Sequence, residues 1–291
     1  MNQFFNDLKL QYRIGGVPEK LIYWNVALFA IPFVLKGILS LFNIHFNFEH
    51  FVSMSSNPAD LLWKPWSLIT YAFFHGGFFH LLSNLIVLHF SSRLFMTFFT
   101  QKQLLSVYLQ GAIVGALFFL ISYFIFPRFS GVTAPMVGAS AAVNAVLFAI
   151  AFYAPHMQIR LLLIGNVKLW HIALVFFILD LIRLSGTNAG GHIAHIGGVF
   201  LGYLFVSQLN KGKDISKWLT NLIDYLMHLG QPKAKPFKKV YKTENTTYRT
   251  TSSLSKTENQ QKIDAILDKI SQSGYDSLSK EEKEFLFKAG K

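Results

Sequence analysis

Long apolar runs, separated by short polar segments, fill the first two thirds of the chain. Each run approaches the roughly 20 mainly apolar residues that a helix needs to cross a hydrocarbon core about 30 Å thick. The pattern therefore predicts an all-α polytopic membrane protein, a bundle of six transmembrane helices within residues 21–208. The six predicted spans are residues 21–44, 78–98, 104–127, 138–155, 168–185 and 191–208.

The segments outside these spans differ in character. Residues 1–20 form a polar N-terminal leader. Residues 45–77 are too long for a tight connection and too apolar for a solvated loop, and their tryptophans suit a membrane interface. We expect this loop to lie partly in the outer leaflet.

Beyond the last span the chain becomes polar, which predicts a linker over residues 209–262. Residues 263–291 then predict a small helical hairpin on the cytoplasmic side. Its second helix is predicted to begin with Ser279 as the N-cap residue, and Glu282 occupies the capping-box position three residues later.

Composition agrees with the membrane class. Apolar residues make up 52% of the chain and charged residues 14%, against about 25% charged in soluble domains. The net charge of +12 does not indicate nucleic-acid binding, because the basic residues lie beside apolar runs and in the tail. The absence of cysteine excludes disulfides, thiolate metal sites and a cysteine nucleophile.

The basic residues also predict an orientation. With both termini inside, nine basic residues at or near the span ends lie on the inner side and three on the outer side. The inner residues are Lys9, Arg13, Lys20, Lys102, Arg160, Lys168, Lys211, Lys213 and Lys217, and the outer ones are Lys64, Arg128 and Arg183. Positive residues concentrate on the cytoplasmic side of membrane proteins, so both termini are predicted to be cytoplasmic. The compact plan favours the inner (plasma) membrane of a bacterial-type cell.

Polar side chains inside apolar spans are costly and raise a functional hypothesis. His80 and Asn84 lie in the second span, Ser140 opens the fourth, and His195 lies in the sixth. These three spans run in the same direction, and each polar residue lies within the first turns of its span. The four side chains are therefore expected at one depth, just below the outer surface.

Their chemistry suits nucleophilic catalysis. A serine needs a neighbouring base, and imidazole is the side chain most suited to that role near neutral pH, so His195 is the candidate base. Ser140 begins a helix, where free amides favour an anion, and His80 and Asn84 share one helical face at i and i+4. Gly198 and Gly202 provide a small-residue face that allows close helix contact.

Each residue also has a purely structural interpretation. A membrane serine commonly bonds a carbonyl of its own helix, and a His/Asn pair can hold helices together. His192, one turn before His195, competes for the role of base. Asp180 could orient a histidine, although pairing with Arg183 or capping of backbone groups is the preferred interpretation, and a structural hydrogen bond is preferred for His75.

At these positions the sequence resembles the rhomboid family of intramembrane serine proteases. The resemblance covers roughly residues 15–208, in three ordered motifs. They are Pro65-Trp66 followed by the segment Phe74 to Asn84 with its His-xxx-Asn, then Gly138-Ala139-Ser140, and then Ala194-His195-Ile196-Gly197-Gly198 with Gly202.

The resemblance implies a rhomboid-like bundle and an endopeptidase with a Ser140–His195 dyad that has no third, acidic member. It implies an oxyanion site formed by the Ser140 amide, His80 and Asn84, with no cofactor and no metal. The implied partners are the lipid bilayer and single-span or membrane-anchored protein substrates, cleaved near the outer surface, and no nucleic acid. The oligomeric state is left open.

Several positions depart from the family pattern. Ala141 follows the serine where the family often has glycine, and Asn144 replaces an aromatic residue that commonly stacks on the catalytic imidazole. Ser67 replaces the arginine of a Trp-Arg pair, and Phe95 lies near a missing glutamate. None of these changes removes a catalytic group, but they alter the surroundings of His195.

Two other functions remain as alternatives. A catalytically silent rhomboid-like protein would bind membrane clients, although such relatives typically lose the serine or histidine that this chain retains. A transporter or channel is disfavoured, because the polar residues cluster in the outer half and no inverted repeat is present.

Overall fold

The computed structural model describes residues 2–45, 47–162, 164–228 and 253–289, which fall into two compact units, Met1–Gln231 and Pro232–Lys291. The described helices are α1 (Asn2–Ile14), α2 (Val17–Ser40), α3 (Glu49–Val52), α4 (Ser67–Thr70), α5 (Phe78–Phe95), α6 (Gln101–Ile125), α7 (Ser140–Tyr153), α8 (Leu169–Arg183), α9 (Ala189–Asn210), α10 (Lys217–His228), α11 (Ser253–Ser273) and α12 (Lys280–Ala289). The described strands are β1 (Met54–Ser55), β2 (Pro135–Met136), β3 (Gln158–Leu161) and β4 (Gly165–Lys168).

A helix is present at each of the six predicted spans, namely α2, α5, α6, α7, α8 and α9. Among the described residues, four of these helices, α2, α5, α6 and α9, are long and apolar enough to cross a membrane. Helix α7 has 14 residues and α8 has 15, so each extends only about 22 Å. The helical membrane architecture is confirmed, whereas the count of six spans stays a prediction.

Helix α7 lies at the centre of the first unit. Residues 141–151 are all buried, and the helix packs against α5, α6 and α9. Its alanines permit this density because small side chains let neighbouring backbones approach closely. Gly202 of α9 contacts the α7 backbone so tightly that a Cβ there would lie 2.7 Å from the Ala149 nitrogen. The predicted small-residue contact between the fourth and sixth spans is therefore confirmed.

The loop of residues 45–77 is ordered into short elements rather than one helix. It contains α3, β1, α4 and two 3₁₀ turns, Pro58–Leu62 and Tyr71–Phe73. Strand β1 pairs antiparallel with β2, directly before α7. The Gly138 amide also donates to the Tyr71 carbonyl at 2.9 Å. The loop thereby holds the segment that leads into Ser140.

The predicted linker of residues 209–262 contains more structure than its polar composition suggested. Helix α10 follows α9 after a turn, and the Ser106 hydroxyl of α6 donates to the Ser216 carbonyl at 2.9 Å next to it. Residues 229–252, which hold much of the predicted linker, lie outside the described residues. Helix α11 begins at Ser253, ten residues before the predicted hairpin.

The second unit contains the predicted pair of helices, α11 and α12, joined by a 3₁₀ turn at Tyr275–Ser277. The capping box is confirmed. The Glu282 amide donates to the Ser279 hydroxyl at 3.2 Å, and the Ser279 amide donates to the Glu282 carboxylate at 2.8 Å. Lys269 of α11 bonds the same carboxylate at 3.0 Å and ties the two helices together.

Candidate active site

A cavity of about 540 Å³ lies among α5, α7, α8 and α9 in the first unit. Its lining includes all four side chains that the sequence singled out, His80, Asn84, Ser140 and His195. Helix packing thus brings together residues separated by more than one hundred positions in the chain. The predicted convergence of these residues is present in the fold.

Ser140 is the first residue of α7 and follows a sharp bend at Gly138. Gly138 has a φ of +137°, a conformation that residues with a side chain rarely adopt. A Cβ there would lie 2.8 Å from the His80 Nε2 and 3.6 Å from the Ser140 Oγ. The glycine therefore lets the serine hydroxyl and the His80 ring line the same side of the cavity. The first-turn amides of α7 have no carbonyl partner within the helix, which suits them to an anion.

His80 and Asn84 project from adjacent turns of α5. The Asn84 side-chain nitrogen donates to the His80 carbonyl at 2.8 Å, which orients the amide within its own helix. The His80 ring contacts the His75 ring edge-on, with centroids 5.2 Å apart. This pair borders the cavity on the side of α5 and the preceding loop.

His75 has the structural role that the sequence favoured. Its Nε2 accepts a hydrogen bond from the Ala139 amide at 3.5 Å. Burial, followed by the neighbouring His80, lowers the pKa of His75 to about 3. The ring is therefore neutral near neutral pH, as an acceptor nitrogen requires.

His195 faces the cavity from the second turn of α9. Its Nδ1 lies 2.7 Å from the Asp180 Oδ1, and the Nδ1 of His192 lies 2.9 Å from the same oxygen. The preferred pairing of Asp180 with Arg183 is therefore wrong, because the carboxylate reaches across to α9 instead. A carboxylate within an apolar helix is costly unless a group on a neighbouring helix pairs with it. The isolated acidic residue in an apolar run was therefore the signal available in the sequence.

Ser140 and His195 share the cavity without a direct bond. Among the hydrogen bonds of the described residues, none joins the Ser140 hydroxyl to His195. Catalytic hydrogen bonds are often long without substrate and tighten in the complex. Since Nδ1 is engaged by Asp180, Nε2 is the ring nitrogen of His195 that remains for the serine.

Asp180, His192 and His195 are also the described residues whose donor atoms fit a cation most closely. One ligand atom of each lies within 4.8 Å of the others. Two imidazoles and a carboxylate form a ligand set that transition metals accept. In the arrangement present, both Nδ1 atoms share hydrogen bonds with one carboxylate oxygen.

One residue of the cavity wall that the sequence pattern did not single out is Tyr71. Tyr71 is buried, lines the cavity, and donates from its hydroxyl to the Ala112 carbonyl at 2.8 Å. It thus connects the first loop to α6 while its own carbonyl holds Gly138. An aromatic residue in an aromatic-rich loop has no pattern that would have distinguished it.

Comparisons with known proteins agree with the architecture. A rhomboid domain model matches residues 62–211, just over half of the chain. A second model, a family of unknown function called DUF6576, matches residues 253–288.

Three curated proteins share similarity over about half of this chain. RHOMBOID-like protein 12, mitochondrial, of Arabidopsis thaliana is 29% identical over 158 residues, which is 50% of this chain and 47% of that protein. Presenilin-associated rhomboid-like protein A, mitochondrial, of Danio rerio is 25% identical over 52% of this chain and 39% of its own length. Presenilin-associated rhomboid-like protein, mitochondrial, of Bos taurus is 27% identical over 53% of this chain and 40% of its own length.

The chain thus spans less than half the length of these relatives. The rhomboid match includes α5, α7, α8 and α9, which supply the polar residues around Ser140. By this match over most of the helical bundle, the chain belongs to the rhomboid family.

Proposed function

We propose that this protein is an intramembrane serine endopeptidase that cleaves membrane-anchored proteins near the outer surface. The observation that carries the proposal is the cavity in which Ser140, His195, His80 and Asn84 meet, with the serine at the start of α7. A nucleophile, a base and candidate oxyanion donors around one space are the parts that acyl transfer needs.

The proposed reaction begins with attack of the Ser140 hydroxyl on the scissile carbonyl. His195 Nε2 accepts the hydroxyl proton and later delivers it to the leaving amine. In the proposed reaction the oxyanion is stabilised by the Ser140 amide at the N-terminus of α7, together with the His80 and Asn84 side chains of α5. Water entering through the cavity then hydrolyses the acyl-enzyme, and His195 acts again as the base.

The short length of α7 is compatible with six spans. Its residues 141–151 are buried by protein, so its ends need not reach both lipid surfaces. Non-helical backbone at membrane depth is tolerated where protein covers it or where it lines a water-filled cavity. The segment 135–139 is held by β1 and Tyr71, and residues 135–138 line the cavity, which is compatible with this arrangement.

The proposed location is the inner (plasma) membrane with both termini cytoplasmic. The bias of basic residues supports this orientation. The names of the three relatives place those proteins in mitochondria, which differs from the proposed membrane. Cysteine residues introduced at Asn57 in the first loop and at Lys213 after α9 would test the orientation. In intact cells an impermeant maleimide should label the first position and spare the second.

Activity is tested with purified protein and a single-span reporter substrate. Wild type should cleave it, whereas Ser140→Ala and His195→Ala should not. Ser122→Ala is the matched control, because Ser122 lies in α6 away from the cavity and bonds only the Phe119 carbonyl of its own helix, at 2.7 Å.

A fluorophosphonate probe supplies a substrate-free readout. It should label wild type and Ser122→Ala but leave Ser140→Ala unlabelled. Equal cleavage by wild type and both site variants would contradict the proposed dyad. Absence of both cleavage and labelling would favour the alternative of a silent protein that binds membrane clients.

A further inference from the structure

Asp180 is a buried carboxylate in the last turn of α8, and it is 7% exposed. A charge is expensive at such a place unless hydrogen-bond donors surround it. Its Oδ1 accepts from His192 and His195, and its Oδ2 lies 3.4 Å from the Asn144 side-chain nitrogen. Donors on α7 and α9 therefore converge on one carboxylate of α8.

We propose that Asp180 is a positioning residue that fixes the ring of His195 for proton transfer from Ser140. The inference rests on the proposed protease function and adds a carboxylate to the Ser140–His195 pair. Asp180 itself does not reach the reacting atoms and acts only through the imidazole.

The geometry selects one tautomer of His195. A carboxylate accepts but does not donate, so the 2.7 Å contact requires the hydrogen on Nδ1. Nε2 is then the basic nitrogen, and it is the ring nitrogen that Asp180 does not contact. When His195 takes the serine proton, the same carboxylate stabilises the imidazolium that forms.

The remaining contacts of Asp180 keep its carboxylate in place. His192 donates to the same Oδ1 at 2.9 Å, while Asn144 approaches Oδ2. His192 is the more buried of the two rings, with a side chain 11% exposed against 19% for His195. Both rings line the cavity, and the greater exposure of His195 favours it as the base, with His192 supplying a supporting hydrogen bond.

The matched experiment compares three variants in the full-length protein. Asp180→Asn keeps the size of the side chain but removes its charge, and Asp180→Glu restores the charge at a longer reach. Asp224→Asn is the control, because it makes the same acid-to-amide change in an exposed ion pair with Lys102, 2.7 Å long.

Asp180→Asn should lower kcat for the reporter by about 10²-fold or more, with KM within about twofold, because the lost interaction belongs to the transition state. The labelling rate of Ser140 by a fluorophosphonate should fall in parallel. Asp180→Glu should recover part of kcat, and Asp224→Asn should match wild type.

A spectroscopic readout tests the contact without relying on activity. In protein labelled with ¹⁵N-histidine, the His195 resonance is identified by its loss in His195→Gln. Wild type should show a proton on Nδ1 at low field, and Asp180→Asn should shift it. A wild-type His195 protonated on Nε2 alone would overturn the proposal, even if Asp180→Asn failed to fold.

The outcomes separate this inference from the proposed function. Cleavage by Asp180→Asn at the wild-type rate, with Ser140→Ala inactive, would overturn the positioning role and leave the protease intact. Wild type without cleavage or labelling would count against the protease, while the imidazole signal would still decide the contact. Loss of activity in EDTA with recovery in Zn²⁺ would show that Asp180 is a metal ligand and would also overturn the proposal.

Discussion

A tight contact between the backbones of α9 and α7 offers a stability prediction. Gly202 of α9 lies against the backbone of α7, and a Cβ there would lie 2.7 Å from Ala149 N, 2.9 Å from Ala145 O and 3.0 Å from Phe148 C. These atoms belong to the main chain of a buried helix, so no side-chain rotation can relieve the overlap. Gly202→Ala should therefore force α9 away from α7.

The magnitude follows from two opposing effects. Overpacking a well-filled interior costs about 1–3 kcal/mol, and the rigid backbone neighbours place this site in the upper part of that range. Replacing glycine by alanine inside a helix returns about 0.8–1 kcal/mol. The net loss in free energy of unfolding is about 1–2 kcal/mol.

Gly37→Ala is the matched control. Gly37 lies inside α2, and a Cβ there would meet nothing within 4 Å. This variant should gain the helix preference without the overlap, so the two variants should differ by about 2–3 kcal/mol. Reversible unfolding in mixed micelles, followed by circular dichroism, measures the difference. Equal stability of Gly202→Ala and Gly37→Ala would refute the claim that backbone contact between α7 and α9 limits this position.

Two further predictions concern the segment beside Ser140. Gly138→Ala should reduce cleavage by about 10²-fold without unfolding the protein. The added methyl group disfavours the φ of +137° and would displace the nearby His80 ring. Reporter cleavage and a thermal melt measure the two effects. His75 has a pKa lowered to about 3 by burial and by His80, so the folded state resists a proton that the unfolded state binds below about pH 6.5. The free energy of unfolding should thus fall as pH decreases from about 6.5 toward about 3, and it should fall less in His75→Gln than in wild type. Melting curves at about pH 7.5 and 4.5 compare the two proteins. Equal losses in both would count against His75 as the source of the pH dependence.

The helical plan could be predicted from the sequence because its cause is local. Apolar runs of about 20 residues have few alternatives in a bilayer, and helices occur at all six predicted places. The capping box at Ser279 and Glu282 was equally local, since it depends on residues three apart. The convergence of His80, Asn84, Ser140 and His195 was predicted from their similar positions in runs expected to cross a membrane in the same direction.

Only the tertiary structure decided which neighbours these residues have. Arg183 is three residues from Asp180 along α8, yet the carboxylate bonds His192 and His195 across the helix boundary. Composition also did not predict helix α10 or the short elements of the first loop. Contacts with α6 hold the start of α10, and pairing of β1 with β2 holds the loop. A sequence determines by itself which side chains are costly in an apolar helix. Which partner satisfies each of them depends on helix packing, and in this protein that choice places Asp180 behind the ring of His195.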